Sequence, residues 1–140
     1  MSEQIIDEAT AGLEGLTVLG RTVQAPLDHL ESFPAPDGCA QVTFETSELA
    51  SICPVTAQPD LSTLTIDYGP NQRCIESKSL KLHLWSYRDR PIFAEALAVA
   101  IADEVARAVD PHWLHVTVRQ QARGGIVTTT QASRGTPPTR

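Results

Sequence analysis

Cysteine is scarce in this chain and odd in number. Cys39, Cys53 and Cys74 are all there is. Such a set does not form the disulfide framework that staples small secreted domains, and it fits a reducing compartment, the cytoplasm. No cysteine spacing resembles a zinc quartet. His112 and His115 are three residues apart on a strand-like stretch, which puts them on opposite faces, so no metal is expected. Positive charge is also short: 11 Lys and Arg stand against 17 Asp and Glu, a net charge of −6. A nucleic-acid surface needs clustered Lys and Arg against phosphates, so direct nucleic-acid binding is not expected. Long apolar runs are missing too. The most apolar stretch, Ile92 to Val109, is broken by Glu95, Asp103, Glu104 and Arg107, which excludes a membrane span. Met1 to Thr10 is acidic and lacks an apolar core, so no secretory leader is expected.

The 140 residues are 41% hydrophobic, enough for one domain that buries roughly 70% of its unfolded surface without staples. The ends, roughly 1–12 and 130–140, are expected to fray. Pro26 to Gly38 holds three prolines and reads as a long loop. Val42 and Phe44 alternate with polar neighbours, as do Leu64, Ile66 and Tyr68, which predicts two strands. Gly69-Pro70-Asn71 stops the second. From Glu76 the period changes: Leu80, Leu84 and Tyr87 fall at i, i+4, i+7, a helix. Arg88-Asp89-Arg90-Pro91 breaks it, with Asp89 as a cap and Pro91 in the first turn of a second helix. Phe93, Leu97, Ala100, Ile101, Val105 and Val109 form the apolar stripe of that helix, and Asp110-Pro111 ends it. Leu114, Val116 and Val118 alternate again. Gly124-Gly125 then precedes Ile126 to Thr129, a closing antiparallel pair. Two strands, two helices and two strands predict an α+β fold with antiparallel sheet.

Several residues carry chemistry. Cys53 is either a buried inert thiol or a nucleophile; the second needs a helix end or a cation nearby, since a free thiol is only a few per cent ionised at neutral pH. Asp60, after Pro59, is either a turn carboxylate or a proton donor. Glu76 sits at a helix start, where a carboxylate suits the dipole. Glu95 lies among Ile92, Phe93, Ala94, Ala96 and Leu97, so it either points to solvent or is paired and purposeful. Lys78, Lys81 and Arg123 can bind phosphates. Arg123 precedes Gly124-Gly125, where backbone can approach a ligand closely.

Two long motifs decide between these alternatives: Cys53-Pro54-x-Thr56-x-Gln58-Pro59-Asp60 and Glu76-Ser77-Lys78-Ser79-Leu80-Lys81-Leu82. With Leu16 to Gly20, Asp110-Pro111 and Arg123-Gly124-Gly125-Ile126, they span most of the chain. On these residues the chain resembles the short, unimodular NADPH-dependent 7-cyano-7-deazaguanine reductases, the nitrile reductases of queuosine biosynthesis. The resemblance implies the tunnel fold, with two helices on one face of an antiparallel sheet. Subunits then join edge to edge into a barrel, in face-to-face pentamers, with active sites between subunits. It implies that Cys53 attacks the nitrile carbon to form a thioimide and that Asp60 supplies and relays protons. Glu76, Ser77, Phe93 and Glu95 hold the substrate, with Phe93 against the flat heterocycle. Lys78, Lys81 and Arg123 bind NADPH. Three positions depart from the family pattern: His83 stands where an aromatic is usual, Ala57 where Gly is usual, and Ala94 where His is usual. The resemblance leaves two other readings, an amidine-forming transferase that acts on nitrile-bearing tRNA and a non-catalytic deazapurine-binding protein.

Overall fold

A computed structural model describes residues 12, 13 and 15–138. The expected fraying of residues 1–11 lies outside the described residues. The chain forms β1 (Ser32–Pro34), β2 (Val42–Ile52), β3 (Pro59–Gly69), β4 (Arg73–Ile75), α1 (Ser77–Trp85), α2 (Ala94–Val109), β5 (Trp113–Arg123) and β6 (Ile126–Arg134). Strands β2, β3, β5 and β6 make one antiparallel sheet in that order, and β1 pairs with β4 in a small second sheet. The expected α+β class and both hairpins are present. Within the expected long loop, Ser32 to Pro34 is a strand, because it pairs with Arg73 to Ile75. At the C-terminus, pairing continues to Leu114↔Arg134, so order reaches further than the expected fraying from about residue 130.

One face of the main sheet carries the core. Leu64, Ile66 and Tyr68 of β3 alternate inward with Leu114, Val116 and Val118 of β5. Leu97, Ile101, Val105 and Val109 of α2 cover them, and Leu80 of α1 joins the same cluster. Each such side chain contributes about 1.5–3 kcal/mol by leaving water. The outward face is polar, with Thr63, Thr65 and Thr117 among its residues. Gly69 has no alternative, since a Cβ there would collide with the Trp113 ring. The β5–β6 turn is the pair Gly124-Gly125, at φ +60° and +80°, the positive values that a tight two-residue hairpin requires.

The second helix begins later than expected. Asp89 is exposed and does not cap it; Phe93 is the N-cap residue, with no side-chain bond. Pro91 instead bridges to Ile52. The Ile52 N–H donates to the Arg90 carbonyl at 3.0 Å, and the Ile92 N–H donates to the Ile52 carbonyl at 3.1 Å. Tertiary pairing thus takes the backbone groups that a helical turn would have used. Phe93 leaves the expected apolar stripe and stands 56% exposed. At the other end Asp110 is left-handed (φ 43°), and its N–H caps the Ala106 carbonyl.

Candidate active site

The β2–β3 hairpin holds Cys53 on its loop and Asp60 at the start of β3. The loop is a tight turn: the Ala57 N–H donates to the Cys53 carbonyl at 3.0 Å, and the Cys53 N–H donates to the Gln58 carbonyl at 2.9 Å. Ala57 has φ +60° to allow it. The Thr56 hydroxyl, then the backbone N–H groups of Thr56 and Val55, hold the Cys53 thiol below its ordinary pKa, against the opposing charge of Asp60. Hydrogen bonds to a thiolate favour the reactive form. Cys53 is half-buried, and Cys74 is buried. Burial, and then Cys39 beside it, push Cys74 upward. Cys53 combines access with activation.

Asp60 is buried, at 3% exposure. Its Oδ1 accepts from Nη1 of Arg123 at 3.0 Å. The guanidinium expected to bind cofactor phosphate therefore pairs with the expected proton donor. The Ile52–Pro91 bridge brings the chain leading into α2 alongside Cys53, and with it Phe93 and Glu95. Glu95 lies in the first turn of α2 and is exposed. Ala94 is buried, and its carbonyl accepts from the Thr130 hydroxyl at 3.0 Å.

The second motif lies elsewhere. Ile75, just before Glu76, donates its N–H to the Tyr68 hydroxyl at 2.9 Å, at the far end of β3. Asp60 and Tyr68 are eight residues apart on that strand, about 26 Å at about 3.3 Å per residue. The chain thus gathers Cys53, Asp60 and Arg123 in one patch, with Phe93 and Glu95 just beyond the Ile52–Pro91 bridge, and places Glu76, Ser77 and Lys78 in another. Glu76 caps α1, its carboxylate accepting from the N–H groups of Lys78 (2.8 Å) and Ser79 (2.7 Å). A carboxylate has about four acceptor positions, so capping leaves capacity for a ligand. Lys78 is occupied as well: its Nζ donates to the carbonyls of Val18 and Arg21. Ser77 is exposed.

Between α1 and β2 runs an open cavity of about 710 Å³, lined by Ser77, Lys81, Phe44 and Glu48 among others. Trp85 and Arg88 line it too, the guanidinium 5.3 Å from the centre of the Trp85 ring. The sequence reading missed this pair. Its i, i+3 spacing next to Lys81 was the available signal. A cavity that joins Lys81 and Arg88 to apolar walls suits a phosphate-bearing aromatic cofactor. Three further polar side chains were also missed, Ser51, Ser62 and Gln120, each buried to 1% or less.

Fold and site together define an α+β domain with an activated cysteine beside a buried aspartate. Residues 59–139 match the family model described as QueF-like protein. The chain is 45% identical over 127 residues to a protein of Syntrophus aciditrophicus (strain SB) named NADPH-dependent 7-cyano-7-deazaguanine reductase, covering 89% of this chain and 90% of that one. A protein of the same name from Anaeromyxobacter sp. (strain Fw109-5) is 42% identical over 81% of this chain and 94% of its own. Among solved structures, the apo form of the archaeosine synthase QueF-Like superposes with a TM-score of 0.66 at 29% identity, over 71% of this chain and 97% of that one. The chain belongs to the QueF-like family, and it has the tunnel fold of that family.

Proposed function

We propose that this protein reduces the nitrile of 7-cyano-7-deazaguanine to the primary amine, with NADPH as reductant. The observation that carries the reading is the hairpin itself, an activated Cys53 thiol with buried Asp60 beside it. The names of the curated relatives support the same substrate and cofactor.

Cys53 adds as thiolate to the nitrile carbon, forming a C–S bond while Asp60 protonates the nitrogen, which gives a thioimide. Bound NADPH supplies hydride to that carbon, and two molecules are used per turnover. Between the two hydrides the C–S bond breaks and the sulfur leaves as thiolate, so Cys53 is regenerated. Two hydrides and two protons together balance nitrile to amine. Glu95 accepts hydrogen bonds from the adjacent N–H donors of the guanine-like edge, a bidentate match for a carboxylate. Phe93, exposed at the start of α2, packs on the heterocycle. Ser77 and the free acceptor capacity of Glu76 complete the substrate contacts. Lys81 takes the cofactor phosphates, with Arg88 and Trp85 on the same cavity wall, and Lys78 and Arg123 join it by exchanging their contacts with the Val18 and Arg21 carbonyls and with Asp60.

The two patches lie toward opposite ends of β3, whose Asp60 and Tyr68 are about 26 Å apart, and on this reading a second copy brings its Glu76 and Ser77 to the Cys53 of the first. The open edges support this. Strands β2 and β6, 11 and 9 residues long, flank the sheet, and unpaired edges of that length call for a partner strand. Edge-to-edge rings of five, stacked face to face, meet the need. No helix among the described residues is long and apolar enough to cross a membrane, and free thiols suit the cytoplasm as the place of action.

An amidine-forming transferase is the second reading, prompted by the archaeosine synthase neighbour. The Lys78–Lys81 helix and the net charge of −6 favour the reductase. Mass spectrometry of the protein with the nitrile is expected to show an adduct on Cys53, absent in Cys53→Ala, followed by loss of NADPH absorbance. An adduct without NADPH oxidation would favour the transferase, and no adduct would overturn both.

A further inference from the structure

The core face of the sheet changes character at one corner. Along β3 the inward residues run Tyr68, Ile66, Leu64, then Ser62 and Asp60; along β5 they run Leu114, Val116, Val118, then Gln120. Ser62 stands directly opposite Gln120, and Ser51 of β2 directly opposite Asp60. Directly opposed Cβ atoms lie about 4.5–5.5 Å apart and diagonal neighbours about 7–8 Å, within reach of a long side chain. So Ser51, Ser62 and Gln120 surround Asp60 on this face. All three are buried to 1% or less, and four of their side-chain atoms have no partner among the described residues: Ser51 Oγ, Ser62 Oγ, Gln120 Oε1 and Gln120 Nε2. A native interior pairs its polar groups, and a cluster of exceptions calls for a reason.

The start of α2 lies over this corner with a small side chain. The Ala94 carbonyl takes the Thr130 hydroxyl, Thr130 pairs with Val118, and Gln120 is two residues further along β5. Asp60 meanwhile is held from its other side by Arg123, whose side chain is half exposed at the hairpin end. A guanidinium only donates. It can hold a carboxylate, but it offers no acceptor to a carboxyl O–H.

We infer that Ser51, Ser62 and Gln120 are positioning residues, a second set of partners that holds Asp60 during proton delivery when Arg123 turns to the cofactor. The hydroxyls and carboxamide both donate and accept, so they serve Asp60 with and without its proton. Arg123 serves only the carboxylate. The inference rests on the nitrile-reductase reading.

The test is Gln120→Met, similar in shape and apolar, with Ser62→Ala as a smaller second change. Unpartnered polar atoms do not stabilise a core, and their replacement by apolar groups of the same shape is neutral or stabilising. Both variants are therefore expected to keep or raise the melting temperature. Misplacing an acid by about 1 Å can cost about 100-fold, so kcat is expected to fall by up to about that factor. KM for nitrile and NADPH stays within about twofold, because the residues assigned to hold them are unchanged, and the Cys53 adduct still forms on long incubation, but more slowly, because Asp60 also protonates the nitrogen in that step. Unchanged kcat in both folded variants would overturn the inference. So would a lowered melting temperature with activity lost in step, since that marks a merely structural role. A wild-type protein that forms no adduct overturns the underlying reading instead, which is a distinguishable failure.

Discussion

At the scale of single residues, the turn that activates Cys53 is built on a compromise. Ala57 is left-handed, with φ +60°, where an L-residue with a Cβ is strained by roughly 1–2 kcal/mol. Glycine removes that strain but enlarges the unfolded ensemble, a loss of about 0.4–1 kcal/mol. Ala57→Gly is therefore expected to stabilise the protein by up to about 1.5 kcal/mol, seen as a higher denaturant midpoint. A lower midpoint would mean that the methyl group packs usefully. The Thr56 hydroxyl serves the same turn twice, since it also accepts from the Gln58 N–H at 3.3 Å. The motif Cys-Pro-x-Thr-x-Gln-Pro-Asp was legible as a motif, but not its mechanics. Nothing in residue type alone says that Thr56 faces the sulfur or that Arg123, 63 residues away, closes on Asp60. The same holds for Gln120. It lies where the apolar alternation of β5 fades into Arg119, Gln120 and Gln121, so its inward direction became visible only through the pairing with Ser62.

Elements were legible where periodicity was clean and illegible where tertiary pairing displaced it. Alternation at Leu64, Ile66 and Tyr68 located β3, but its first half carries Asp60 and Ser62 inward and so gave no apolar signal. The start of α2 was set by the Ile52–Pro91 bridge, a contact invisible to local pattern. Strands β1 and β4, three residues each, are too short to show a period. Helix α1 was found by its spacing, yet its buried set includes His83, a residue that a hydrophobic template passes over. Nδ1 of His83 lies 3.1 Å from the Leu27 carbonyl, and Nε2 lies 3.2 Å from the Tyr87 hydroxyl. The neutral ring, with its proton on Nδ1, donates to Leu27 and accepts from Tyr87. It thereby ties the loop before β1 to α1. Burial holds the His83 pKa below its ordinary value. The sign follows: above about pH 6.5 the ring is neutral in both states, and below that the unfolded chain binds the proton first. Stability is therefore full above about pH 6.5 and falls as pH drops from there toward the lower folded value. His83→Phe is expected to flatten this part of the curve of melting temperature against pH between 5 and 7. An equal slope in the variant would assign the pH dependence to other groups.

At the scale of the whole molecule, the separation of the two motifs sets the strongest constraint. They are near in sequence, Asp60 and Glu76 being 16 residues apart, and they lie at opposite ends of β3. A chain that needs both at one substrate has to borrow one from a neighbour, and a closed ring lets every subunit lend and borrow at once. This makes a sharp prediction for mixtures. Cys53→Ala removes the nucleophile from one patch. Ser77→Tyr, at an exposed position, blocks the other without touching the Glu76 cap. Each variant alone is expected to be inactive. Co-expressed in equal amounts they form rings in which a site works only when its Cys53 comes from a Ser77→Tyr subunit and its Ser77 from a Cys53→Ala subunit. Random assembly gives each condition a probability of one half, so about a quarter of the sites recover in a heterologous ring. NADPH oxidation by the mixed oligomer, measured beside each parent, reads this directly. A site contained in one chain recovers nothing on mixing, so a mixture as inactive as its parents, with mixed rings verified by native mass spectrometry, would refute the shared site.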